Sequence, residues 1–100
     1  MEFTANVEAR VGSNWAADVG AADRLLIALE PAVIGPAVSQ RQDASTMGAT
    51  FGVSAQDARE AADVAAQRFI AALSEAGITG DVRLVELQVE EYREEAAALG

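Results

Sequence analysis

One hundred residues are enough for one domain with a core of its own, and 51% hydrophobic with 23% charged residues is a globular composition. A net charge of −9, with a pI near 4.2, argues against nucleic acid and anionic membrane surfaces as partners. With no histidine, cysteine or lysine, the chain lacks the groups for disulfides, Ser-His-Asp or Cys-His nucleophilic systems, Schiff bases and nearly all zinc, haem or iron-sulfur sites.

The first element is a strand. From Phe3 to Val11 every odd position is apolar (Phe3, Ala5, Val7, Ala9, Val11), and Thr4, Asn6, Glu8 and Arg10 alternate with them. Gly12 ends it, and Ser13 or Asn14 is placed to cap a helix from Trp15. Trp15, Val19, Ala22, Leu26 and Leu29 fall on one predicted stripe of that helix, with Ala17, Gly20 and Arg24 opposite, and Pro31 stops it. The stripe makes Trp15 a core residue rather than an anchor for a partner.

Two strands follow, "VIGPAVSQ" and "STMGATFGVS", joined by the polar residues 41–44 as a hairpin. Pro36 cannot donate to a central ladder, so the first of the pair belongs at an edge. In the second, Met47, Ala49, Phe51 and Val53 alternate with Thr46, Gly48, Thr50 and Gly52. Ser54 with Asp57 reads as a capping box opening a second helix, whose stripe is Ala58, Ala62, Ala65, Phe69, Leu73 and Ala76. Gly77 and Ile78 form a glycine cap with Ile78 folded back on Leu73. Val64 and Ile70 lie off the main stripe and read as scattered surface apolars. The last strand, residues 82–89, changes phase midway, which a bulge near Leu84 would reconcile. Residues 91–100 are an acidic tail after a single domain of residues 1–90.

The order β-α-β-β-α-β resembles the ferredoxin-like, or split βαβ, fold group. The resemblance implies an α+β domain with a four-stranded antiparallel sheet of order 4-1-3-2 and both helices on one face. It is one of topology over about residues 2–90, and that topology hosts many functions. Alanine richness without lysine resembles the product of a high-GC genome, such as that of an actinobacterium or its phage.

Thr4, Asn6, Glu8, Gly48, Thr50 and Gly52 fall together on the face away from the helices. None is aromatic and the chain is acidic, so base stacking of the kind RNA-binding domains of this topology use is not expected. Gly48 and Gly52 alternate within a strand instead of opening a helix, which argues against a phosphate loop. They mark either close approach of another group or plain tolerance on an exposed face. Glu90, Glu91, Glu94 and Glu95 form a candidate acidic contact for a basic partner, against the reading of a solvated, fraying tail.

The expected function is therefore that of a small non-enzymatic protein-interaction module acting through the open sheet face, and the composition suggests a phage-encoded accessory protein. A protein partner or a homodimer is expected, with no cofactor, metal, nucleic acid or membrane. Two alternatives stand beside it: an ACT-like small-molecule sensor or carrier, and an acidic mimic of nucleic acid. The start shows no basic region followed by an apolar stretch, and the longest apolar run, Leu25 to Leu29, is far short of the ~20 residues that cross a bilayer, so a cytoplasmic location is expected. Gly48→Arg is expected to block the face and leave the fold intact.

Overall fold

A computed structural model describes residues 1–12, 15 and 18–92, with the backbone alone at Val19. Strand β1 (Glu2–Arg10) is followed by helix α1 (Val19–Leu29), strands β2 (Ile34–Arg41) and β3 (Thr46–Ser54), helix α2 (Ala58–Glu75) and strand β4 (Arg83–Glu91). The four strands form one antiparallel sheet of order β2-β3-β1-β4, which is the expected order read from the other edge. The fold is α+β and consistent with the ferredoxin-like arrangement.

Alternation decides which face is buried. Phe3, Ala5, Val7, Ala9 and Val11 are each at most 3% exposed, and Phe51 and Val53 of β3 join them. Both helices close over this face in one continuous core. Phe69 of α2 sits at its centre with no exposed surface, together with Leu25, Leu29, Met47, Leu73 and Ile78.

The helices differ from expectation in phase. Helix α1 is capped by Asp18, whose Oδ1 accepts from Gly20 N at 2.9 Å. Ser13, Asn14 and Ala17 lie outside the described residues. Among the described side chains of α1 the buried ones are Ala21, Leu25, Ala28 and Leu29, so of the expected stripe Leu29 is fully buried while Ala22 and Leu26 are half-buried. The run Leu25-Leu26-Ile27 offers more than one apolar stripe, and periodicity alone does not choose between them. Tertiary contacts do. Arg24 reaches across to donate through Nε to the carbonyl of Ala76 at the end of α2, which turns Leu25 down onto the sheet and leaves Ile27 outside.

In α2 the expected Ala65, Phe69, Leu73 and Ala76 are buried, joined by Ala61 and Ala72. Ala58 is exposed and Ala62 half-buried, because with alanine at 58, 61, 62, 65 and 66 the side chains barely distinguish one face from the next. The cap is Asp57 rather than Ser54. Its Oδ1 accepts from Glu60 N at 2.8 Å, and Glu60 Oε1 accepts from Gln56 N at 3.2 Å. The C-terminal cap forms as expected: Gly77 takes φ +80°, Ile78 N donates to Leu73 O and Gly77 N to Ser74 O. Val64 is half-buried against the core and Ile70 is exposed. Trp15 is half-buried, packed on the core, with Nε1 donating to Thr79 O at 3.0 Å. Among the described residues no helix is long and apolar enough to cross a membrane.

Both sheet edges are irregular. Strand β2 holds Pro36 where its pairing with β3 shifts register between Ile34 and Ala37, and Gly35 beside it takes φ +55°. In β4 the shift falls between Leu84, opposite Ala9, and Glu86, opposite Glu8, so Val85 is the extra residue of a bulge. The bulge reconciles the two phases of the last strand: Leu84, Leu87 and Val89 all pair with core-facing residues of β1.

Candidate interaction face

The face opposite the helices is uncovered, and all six residues expected there lie on it. They stand in opposed pairs on the two central strands: Thr4 with Gly52, Asn6 with Thr50, Glu8 with Gly48. Two side-chain hydrogen bonds tie them together. Thr46 Oγ1 donates to Glu8 Oε1 at 2.8 Å, and Thr50 Oγ1 donates to Asn6 Oδ1. These bonds hold Glu8 and Asn6 in place and satisfy the hydroxyls within the sheet.

The glycines resolve in favour of close approach. A Cβ at Gly48 would stand 2.8 Å from the carbonyl oxygen of Val7 and 3.1 Å from Ser39 Oγ, and one at Gly52 would stand 3.1 Å from Ile34 Cβ. Both make room for neighbours in the same sheet. Gly48→Arg therefore cannot be expected to leave the fold intact, contrary to the reading from sequence.

The register also orders the charges, a feature the strands taken singly do not display. Across one end runs a row of Arg41, Thr46, Arg10 and Arg83, one from each strand. The next row is Ser39, Gly48, Glu8 and Glu86; then come Ala37, Thr50, Asn6 and Gln88, and after them Ile34, Gly52, Thr4 and Glu90. Like charges directly opposite one another destabilise an antiparallel pair, yet Arg10 faces Arg83 and Glu8 faces Glu86. Among the described residues neither Arg10 nor Arg83 enters an ion pair, whereas Arg41 lies 3.9 Å from Asp43.

At the far end of the face Tyr92 N donates to Glu2 O, which carries β4 alongside the first residue of β1. Tyr92, Glu2, Thr4, Ile34, Gly35, Thr50 and Gly52 surround a shallow depression of about 370 Å³. Ile34 and Tyr92 form its walls, at 52% and 56% exposure. Sequence reading left both out, since Ile34 reads as one more apolar residue of an edge strand and Tyr92 as part of the tail.

The acidic candidates do not form one cluster. Glu90 and Glu91 belong to β4 and not to a tail, and they face opposite ways: Glu90 pairs with Thr4 of the open face and Glu91 with Phe3 of the core face. Glu94 and Glu95 lie outside the described residues. Among the described residues no group of three or more carboxylates is placed to hold a metal ion. The chain matches no protein-family model, no curated protein and no solved structure.

Proposed function

We propose that the protein is a non-enzymatic interaction module whose working surface is the open face of the sheet. The observation that supports this reading is the contrast between that face and the edges. Both edges are broken by a bulge or register shift, the usual means of blunting an edge against strand addition, while the face between them is left bare. The face carries polar groups already bonded to one another, an apolar depression at one end and, at the other, Arg10 and Arg83, which enter no ion pair among the described residues. Such a mixture of rigid polar ground and an aromatic anchor suits a protein surface better than a reaction centre.

A photo-cross-linking residue at Thr50, on the face, should capture a protein in cells that make the chain. The same residue at Asp63, exposed on α2, should capture none. Adducts from Asp63 and none from Thr50 would refute the reading. A second reading, a small-molecule sensor or carrier, draws on the depression beside Tyr92, whose volume falls within the range of ligand sites. It requires an apolar or aromatic small molecule to raise the melting temperature of the wild-type chain and to do so less in Tyr92→Ala.

A further inference from the structure

We propose that the occupant of the open face is a second copy of this chain, docked face to face with its strands reversed. This rests on the reading of the open face as the working surface. It goes further by naming the partner and the contacts.

The argument is one of complementarity between the two ends of a single face. One end is basic: Arg10 and Arg83 stand opposite one another, both exposed, with no acidic partner among the described residues. The other end is acidic and aromatic: Glu2 and Tyr92, both exposed, line the depression, and Glu90 is exposed in the neighbouring row opposite Thr4. Arg10 and Glu2 are eight residues apart on β1, about 27 Å at ~3.4 Å per residue. No side chain spans that distance, so the two ends cannot satisfy each other within one chain.

A two-fold axis lying in the plane of the face and crossing the strands at the row of Asn6 and Thr50 superposes them. That rotation keeps each strand over its own equivalent and exchanges the two ends. Arg10 then faces the partner's Glu2, and Arg83 faces the partner's Tyr92, where an arginine over a tyrosine ring gains a cation–π contact; one row further in, Glu86 faces the partner's Glu90, a like-charge contact that opposes these gains. Each contact occurs twice, as a closed two-fold interface requires. The like-charged pair of arginines, unfavourable in the monomer, becomes a pair of attachment points. Sheets packed in this way lie about 10 Å apart with strands within ~30° of alignment, which the bare central rows allow. Strand-to-strand pairing through β4 is the weaker route to a dimer, because the bulge at Val85 puts residues on either side of it out of phase in any symmetric register.

Sedimentation equilibrium on the full chain tests this. The wild type should form a dimer. Arg10→Glu with Arg83→Glu should raise its dissociation constant by about tenfold or more, and so should Glu2→Arg. An equimolar mixture of the two variants should regain the two-chain mass, since each reversed end then meets an end of opposite sign. Should a double reversal lose the wild-type circular dichroism spectrum, Arg83→Gln and Glu2→Gln serve in its place, each expected to weaken the dimer. A wild type that stays monomeric, or variants that dimerise undiminished, would overturn the proposal. A monomeric wild type that still cross-links a different protein through Thr50 would overturn this inference alone and leave the open face as the working surface.

Discussion

Gly48 and Phe69 mark the two sides of the sheet, and each is sensitive for a different reason. At Gly48 the obstacle to a side chain is backbone, the Val7 carbonyl, which cannot swing aside as a side chain can. Gly48→Ala should therefore destabilise by about 1–3 kcal/mol, read as a lower urea midpoint with unchanged slope. Thr50→Ala, two residues along on the same face, removes one exposed hydrogen bond and should cost about 1 kcal/mol or less. Equal losses at the two positions would show that the close approach at Gly48 is easily relieved. Phe69 has no exposed surface, and buried alanines of its own helix flank it at 65 and 72. Alanines have no reach to fill a hole, so Phe69→Ala should cost about 3–5 kcal/mol. An unchanged midpoint would be incompatible with the burial. The place of Phe69 in the core was readable in the sequence, because a large side chain at helical spacing with Leu73 has one sensible destination. The role of Gly48 was not, because a missing Cβ leaves no record of what stands in its place.

At the level of elements, what could be read depended on contrast between neighbouring residues. Strands β1 and β3 alternate apolar with polar at every step, and each face lies where period two puts it. The helices lack that contrast. Leu25, Leu26 and Ile27 offer α1 competing faces, and a hydrogen bond to another helix, from Arg24 to Ala76, settles between them. No local pattern encodes that bond. The bulge in β4 was legible as a conflict of phase, and its consequence can be tested. Deleting Val85 would join Leu84 directly to Glu86, keep every pairing with β1 in phase, and give β4 a regular outer edge. The shortened chain should fold, and should associate more strongly than the wild type, in a manner insensitive to Arg10→Glu with Arg83→Glu, since its new contact is an edge. Light scattering on the deletion variant with and without the charge reversals measures this. A deletion variant that associates no more strongly than the wild type would mean that the charges on β4 guard the edge without help from the bulge. Gly77, at φ +80°, closes α2, and Gly77→Ala should lower stability by about 1 kcal/mol by forcing a side chain into the left-handed region.

For the molecule as a whole, the two faces and the two edges make different demands on the same four strands. Helices cover one face over the central strands, and β1 and β3 are each paired on both sides. Strand β4 is paired on one side only, and seven of its nine residues are exposed. Amide exchange should therefore be slowest in β1 and β3, which open only with global unfolding, and faster along β4. The gradient also separates the two ways a second copy could bind. Docking across the open face covers side chains such as Thr4 and Thr50 and leaves the outer amides of β4 in water. Docking through an edge would bond those amides to the partner's strand. As protein concentration is raised through the dimerisation range, β4 should stay fast while β1 and β3 slow further, because association stabilises the folded state by mass action. Outer amides of β4 that slow in step with dimerisation would place the contact at the edge and refute docking through the face.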